Sequence, residues 1–271
     1  MLAIVAVAPV LLPGKVLRLS GAEQLDVVAH CMGATTFLMS LLAGHLRGQV
    51  RSAVLFNGGV HFSTVTSRLL KARLRVPSIL PYLGINSMEV SGGFSFSWLN
   101  RLLDFGCAVN NALFGEVQLR ETCTSGVCHR MGFIYGGGWE HRNISAAAHD
   151  NLHEIWGSAH MACLRQVTSC LLAGQLVDSK GQGVYMQHPQ RLSLPITFIT
   201  GRNNKVLVPA SQQKTYQWLC DANGADGYAS YILDGYSHND IVIGRSVWRD
   251  VVPLLLRHLA AQKAPLPIKH A

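Results

Sequence analysis

Cys31 is the residue best placed for nucleophilic chemistry, because small residues lie two positions before it and two positions after it. The apolar run 25–29 predicts a buried strand, and the largely apolar run 33–46 predicts a helix. Cys31 then falls on the sharp turn between them, where Ala29 and Gly33 let strand and helix approach closely. We expect an exposed sulfur at the positive end of a helix, a position that favours the nucleophilic thiolate.

Two further groups capable of catalysis follow strands later in the chain. Asn203 and Asn204 come just after Gly201, which ends a predicted strand, and His238 lies in the loop after the next strand. In an open parallel sheet the ligand lies beyond the carboxyl ends of the strands, so these side chains and Cys31 are expected at one edge. The order nucleophile, polar residue, histidine is that of the α/β-hydrolases. The competing interpretation is that Cys31 is an inert packing residue.

The elements that would position these groups alternate between strands and helices. Apolar runs predict strands at 50–56, 194–201 and 228–233, and helical patterns follow at 210–223 and 246–259. Strand, helix and strand in so short a span indicate right-handed parallel units. Between 61 and 192 the pattern loosens into short helical runs and glycine clusters, which predicts an inserted helical cap. The prediction is therefore a mostly parallel α/β sheet with helices on both faces, with its core at 1–60 and 193–271.

Three segments resemble one particular group of α/β-hydrolases. They are 27–44 (VVAHCMGATTFLMSLLAG), 194–209 (LPITFITGRNNKVLVP) and 231–244 (YILDGYSHNDIVIG). Together with the cap segment 135–157, they look like the α/β-hydrolase domain fused to glucose-methanol-choline flavin oxidoreductases of the cholesterol oxidase type. More distantly, the cysteine turn resembles that of polyhydroxyalkanoate synthases and dienelactone hydrolase, which use Cys, Asp and His on this fold.

The resemblance implies a role for each candidate residue. Cys31 would be the nucleophile and His238 the general base that takes its proton. Related hydrolases carry a carboxylate after the glycine that ends the later strand, whereas this sequence has Asn203 and Asn204 near that position. An amide can still accept from the imidazole ring N–H, but it adds no negative charge. Two acids near the histidine, Asp234 and Asp240, are less favourably placed alternatives.

The sequence before Cys31 departs from the family pattern. Only 30 residues precede Cys31, which predicts that the first strands of the core are missing. The Met32 backbone N–H at the start of the predicted helix is a candidate oxyanion donor, and no second donor is evident. An open sheet edge would invite pairing with another polypeptide or with a second copy of this chain.

These features predict hydrolysis of an apolar acyl ester or thioester, or transfer of its acyl group, through an acyl-cysteine. The apolar and aromatic side chains of the predicted cap favour a lipid-like substrate. The alternative function is an accessory domain with weak catalysis that binds a lipophilic substrate for a flavin-dependent sterol or alcohol oxidase partner. The chain itself lacks a flavin-binding motif, because the glycines 136–138 have neither the spacing nor the setting of a dinucleotide loop. No cofactor is predicted.

Composition limits the partners and the cellular compartment that are expected for this chain. The 271 residues are 49% hydrophobic and 14% charged, with a net charge of +8. That surplus is not accompanied by a basic groove with interleaved aromatic residues, so no nucleic-acid partner is predicted. Seven cysteines at irregular spacing indicate a reducing compartment, and no apolar run reaches the length of a membrane span. We therefore expect a cytoplasmic protein without a transmembrane segment.

Metal-binding motifs are also weak in this sequence. Cys123 and Cys128 lack the paired spacing of a zinc site. His149 and His153 are four residues apart on a probable helix, but the His-Glu-x-x-His order of zinc proteases is absent. Ordinary polar packing explains these side chains better than metal binding does, and no metal site is predicted.

Overall fold

The structure, a computed structural model, describes residues 2–4, 11–90 and 125–262. The described strands are β1 (Leu2–Ile4), β2 (Leu25–His30), β3 (Val50–Phe56), β4 (Ser87–Glu89), β5 (Ser158–His160), β6 (Ile196–Gly201) and β7 (Tyr228–Leu233). The described α-helices are α1 (Leu11–Ser20), α2 (Met32–Leu42), α3 (Thr66–Arg73), α4 (Val76–Ile79), α5 (Gly126–Tyr135), α6 (Ala146–Asp150), α7 (Leu152–Ile155), α8 (Met161–Ala173), α9 (Pro209–Asn223), α10 (Asp240–Ile243), α11 (Val247–Asp250) and α12 (Val252–Ala261). Short 3₁₀ turns lie at Leu80–Leu83, His141–Asn143, Val184–Gln187 and Pro189–Leu192.

A parallel sheet of five strands forms the centre of the molecule, in the order β1-β2-β3-β6-β7. Successive side chains of β3 enter two different apolar clusters, with Leu55 on one face and Val54 and Phe56 on the other. Helices α2 and α9 contribute to the first cluster, and α12 contributes to the second. Because helices cover both faces, these strands are apolar along almost their whole length.

The sheet begins one strand earlier than the sequence predicted. Leu2–Ile4 forms β1, which pairs in parallel with β2 through the register Ala3 to Val27. A strand of three residues inside an apolar stretch carries no periodic signal, so only its pairing identifies it. Residues 5–10, between β1 and α1, lie outside the described part of the chain.

The segment between β3 and β6 builds a second apolar cluster. It comprises α3 to α8 and the antiparallel pair β4-β5, and buried side chains such as Met131, Leu152 and Met161 fill its interior. Both ends of the segment pack into the sheet core instead, through Phe62 and Leu176. The boundaries 61 and 192 of the inserted cap stay a prediction. No helix in residues 2–4, 11–90 and 125–262 is long and apolar enough to cross a bilayer.

Candidate active site

Cys31 occupies a strained turn between β2 and α2. Its backbone has φ 53° and ψ −122°, a region that residues other than glycine seldom adopt. Two hydrogen bonds fix the turn, because the Cys31 N–H donates to the Phe56 carbonyl at 2.8 Å and the Thr35 N–H donates to the Cys31 carbonyl at 3.0 Å. A turn of this shape raises the nucleophile side chain above the end of the sheet.

Close packing beside the turn requires a glycine in the loop after β3. A Cβ added to Gly58 would lie 2.4 Å from the Cβ of Ala34 in the first turn of α2. Real Cβ atoms do not approach so closely, so any larger residue would push α2 away. Gly58 therefore helps to keep α2, and the Cys31 turn that precedes it, in position at the end of the sheet.

His238 is buried, and its Nδ1 lies 3.1 Å from Oδ1 of Asn204. The direction of this hydrogen bond follows from the neighbours of Asn204. Its Oδ1 also accepts from the backbone N–H groups of Val206 at 3.0 Å and Leu207 at 3.1 Å. An oxygen that accepts from two amides accepts from the ring as well, so Nδ1 of His238 carries the hydrogen. Nε2 is then left with a lone pair and can act as a base.

Asn57 is a site residue that the sequence did not predict as part of the site. It lies just after β3 with φ 50°, and its side chain is buried. Its Oδ1 accepts from Thr200 Oγ1 at 2.7 Å and from Asn204 Nδ2 at 3.1 Å, while its Nδ2 donates to the His238 carbonyl. One carboxamide therefore joins the ends of β3 and β6 to the histidine loop. The sequence signal that could have identified Asn57 is a polar residue next to two glycines at the end of a predicted strand.

The other polar candidates contact different partners. Asn203 Nδ2 donates to Glu140 Oε1 at 2.9 Å, so Asn204 is the residue that orients His238. The Asp240 carboxylate is buried and accepts from the Ser237 N–H at 3.0 Å, and Asp234 forms an ion pair with Arg202 at the surface. Neither acid hydrogen-bonds to the His238 ring.

Cys31 and His238 line one cavity of about 200 Å³. Other side chains in its wall are mainly apolar and come from the sheet core and from the cap, among them Phe62, Met131, Tyr135, Trp156, Leu164, Val167, Leu171 and Leu207. Sγ of Cys31 and Nε2 of His238 form no hydrogen bond, and within the described residues Nε2 is buried without a partner. Hydrogen bonds between catalytic groups commonly tighten only when substrate binds.

Burial disfavours the charged forms of both Cys31 and His238. Burial raises the pKa of the Cys31 thiol to about 11, although the Met32 backbone N–H and the Arg68 charge favour the thiolate. Burial also holds the pKa of His238 well below its ordinary value, and the neighbouring His30 and Arg68 lower it further. Cys31 is partly exposed, and its raised pKa disfavours the expected thiolate because the Met32 N–H at the helix start opposes the cost of desolvation without exceeding it.

Met32 lies at the start of α2 and lines the cavity, and its backbone N–H interacts with the Cys31 thiol. This is the position expected for one oxyanion donor. The loop after β1, residues 5–10, is outside the described part of the chain.

Gly201 supplies a sharp test of the site geometry. A Cβ at this position would lie 2.3 Å from the Tyr236 carbonyl oxygen and 2.4 Å from that of Ser237. We expect Gly201→Ala to displace the histidine loop, to lower kcat/KM for an ester about 100-fold and to cost about 2 kcal/mol of stability. The control is Gly227→Ala, whose Cβ would have only an ordinary contact, 3.8 Å from the Leu194 carbonyl. Equal losses in the two variants would contradict the role given to Gly201.

Comparison with known proteins identifies the fold. No family model and no curated protein matches the sequence. The structure is similar to a soluble variant of monoglyceride lipase from Saccharomyces cerevisiae in complex with a substrate analogue, with a TM-score of 0.56 and 9% identity. This similarity covers 93% of the chain and 66% of the lipase, so the chain spans slightly less than two thirds of its length. The fold is that of an α/β-hydrolase.

Other α/β-hydrolase structures resemble the chain less closely. A carboxylesterase from the thaumarchaeon Nitrososphaera gargenis has a TM-score of 0.48 and 14% identity, over 95% of this chain and 73% of its own. The esterase RhEst1 from Rhodococcus sp. ECU1013 has a TM-score of 0.47 and 14% identity, over 90% of this chain and 69% of its own.

The α/β-hydrolase fold accounts for the convergence at the cavity. Cys31, Asn204 and His238 follow the carboxyl ends of β2, β6 and β7, which are parallel and therefore open on one edge of the sheet. This edge is where ligands of open parallel sheets bind.

Proposed function

We propose that this protein hydrolyses an apolar acyl ester or thioester through an acyl-enzyme on Cys31. The observation that carries the proposal is the shared cavity, whose wall includes both a thiol on a strained turn and an imidazole with a free Nε2 lone pair. A nucleophile, a base and a group that orients the base are the parts required for acyl transfer.

The reaction starts from the neutral pair. As Sγ of Cys31 forms a bond to the carbonyl carbon, its proton passes to Nε2 of His238, so the step needs no thiolate beforehand. The Met32 N–H donates to the developing oxyanion. Collapse of the tetrahedral intermediate breaks the bond to the alcohol or thiol, which leaves with the proton from Nε2. Water then attacks the thioester in the same way, and an alcohol in its place would make the protein an acyltransferase.

Asn204 contributes orientation rather than charge. Its Oδ1 holds the Nδ1 hydrogen of His238 and so presents Nε2 as the base through the whole cycle. It adds no negative charge to stabilise the imidazolium that forms, and the positive Arg68 disfavours that cation. The Cys31 thiol partly compensates for the missing negative charge, because a thiol is a far stronger acid than a serine hydroxyl.

Apolar acyl chains are the substrates that the cavity wall favours. A second cavity of about 290 Å³ shares the wall residues Arg68, Leu164, Val167 and Leu171 with the first, so the two cavities adjoin and both have mainly apolar walls. A carbonyl at Cys31 would leave its acyl chain along this surface. The similarity to a monoglyceride lipase is in keeping with such a substrate.

Trapping the acyl-enzyme tests the proposal directly. Aryl esters and thioesters from acetyl to palmitoyl are mixed with the protein, quenched in acid and measured by intact mass, followed by peptide mapping. One acyl group on Cys31, with faster accumulation for the longer chains, is the expected result. Turnover with no adduct on any cysteine would contradict a thiol mechanism.

The pH dependence separates a base-assisted thiol from a free thiolate. Alkylation of Cys31 by iodoacetamide follows the thiolate, so its rate should rise about tenfold per pH unit from neutrality towards pH 11. The base works unprotonated and the pKa of His238 is lowered, so kcat/KM should stay level from neutral pH to below 6.5, the ordinary histidine value. Turnover that rises in parallel with alkylation would show that His238 is not the base.

A second candidate function is an accessory domain that binds an apolar substrate for a flavin-dependent sterol or alcohol oxidase. The high pKa of the Cys31 thiol and the missing hydrogen bond to His238 favour it. In that case the protein would bind a sterol or fatty alcohol in its cavity, and no acyl group would appear on Cys31 in the trapping experiment.

A further inference from the structure

Three side chains with metal-binding atoms meet in the cap. They are Cys128 in the first turn of α5, His141 in the 3₁₀ turn that follows, and His149 in α6. One ligand atom from each lies within 4.8 Å of the other two. Sγ of Cys128 is 3.4 Å from Nε2 of His141, and the two imidazole ring centres are 5.2 Å apart.

These distances suit a tetrahedral centre. With bonds of about 2.3 Å to sulfur and about 2.0 Å to nitrogen, tetrahedral zinc holds a sulfur and a nitrogen ligand roughly 3.5 Å apart. The Cys128 to His141 distance already has this value. The remaining separations, at most 4.8 Å, close by small side-chain rotations. Cys128 is buried and the two histidines are partly buried, so an ion there would be largely enclosed by the cap.

We propose that the cap binds one Zn²⁺ ion through Cys128, His141 and His149. A thiolate with two imidazoles selects zinc over Mg²⁺ or Ca²⁺, which prefer oxygen ligands. Nδ1 of His149 lies 3.9 Å from the Asp150 carboxylate, within the range of an ion pair but beyond that of a hydrogen bond.

The ion would stabilise the part of the cap that packs against the loop carrying His238. Gly138 accepts from the Asn239 N–H at 2.8 Å, and Glu140, the neighbour of His141, accepts from Asn203 at 2.9 Å. One turn of α5 beyond Cys128, Met131 reaches the wall of the catalytic cavity. Zinc in this position is structural, since Cys128, His141 and His149 are absent from the cavity wall.

The sequence predicted no metal site, because neither Cys123 with Cys128 nor His149 with His153 has the spacing and order of a zinc motif. His153 in fact lies near the surface beside Glu154, at 3.2 Å, and is not part of the cluster. The three donors are separated by a glycine-rich turn and a 3₁₀ turn, and only the folded cap brings them together.

Metal analysis and cobalt substitution of the full chain test the site. The wild-type protein, dialysed against zinc and then buffer, should retain about one zinc per chain. Cobalt in its place should give the sulfur-to-metal charge-transfer band of a thiolate ligand. Cys128→Ser, His141→Gln and His149→Gln should each weaken binding by at least about 100-fold. The controls His153→Gln and Cys220→Ser should bind like wild type.

A stability measurement distinguishes lost ligands from misfolding. Zinc should raise the melting temperature of the wild-type protein and of both controls, and leave that of folded ligand variants unchanged. Wild-type protein that retains no zinc and shows no cobalt charge-transfer band would overturn the proposal. Zinc bound equally by all three ligand variants would overturn it as well.

Discussion

Cys31→Ala should lower kcat/KM for an apolar ester by at least about 10⁴-fold, because no acyl-enzyme can form without the thiol. Folding should be almost unaffected. Alanine suffers the same backbone strain at φ 53°, and the lost sulfur lies at the cavity rather than in the packed core. Initial rates and thermal melting of the two proteins measure both effects.

Two other cysteines make this test specific. Cys220 lies on α9 away from the cavity, so Cys220→Ala should retain full activity. Cys163 also lines the cavity, but it lies within the regular helix α8 rather than on a strained turn. Activity that survives Cys31→Ala and disappears in Cys163→Ala would transfer the nucleophile to α8 and end the proposal for Cys31.

His238→Ala should reduce kcat/KM about 10³-fold, the usual effect of losing a general base. The surrounding network should survive, since Asn204 Oδ1 keeps the Val206 and Leu207 N–H groups, and Asn57 still bonds to the backbone carbonyl of residue 238. The vacated space opens on the cavity, so added imidazole should restore part of the rate.

The matched control for this variant is His61→Ala. His61 lies in the loop after β3 and packs against Trp218, outside the catalytic cavity. This substitution should leave kcat/KM within about threefold of wild type and should not respond to imidazole. If His238→Ala has normal activity, or if imidazole raises the rate of both variants equally, His238 is not the base.

Much of the sheet was predictable, because strands buried on both faces are continuous apolar runs. The predictions for β3 and β7 are confirmed residue by residue, and that for β6 starts two residues early. The helix predicted at 246–259 is divided into α11 and α12, with Pro253 in the first turn of the second. Proline lacks an N–H, so this break follows directly from the sequence.

The candidate site was less predictable, because its details depend on contacts between distant loops. Chain order placed Cys31 and His238 at one edge of the sheet, but it could not choose between Asn203 and Asn204. The choice depends on the N–H groups of Val206 and Leu207, which turn Oδ1 of Asn204 toward the ring. The raised pKa of the thiol results from burial beside side chains that come from distant parts of the chain, which no local pattern contains.

The carboxamide of Asn57 connects the chain segments that follow β3, β6 and β7 through hydrogen bonds. Since it contacts Thr200, Asn204 and the His238 carbonyl at once, a shift in any of these loops changes the geometry of the others. Substitutions in the three loops should therefore combine non-additively, although the loops are far apart along the chain. Laboratory evolution of this protein would have to vary them together, because changing one loop alone disturbs its neighbours.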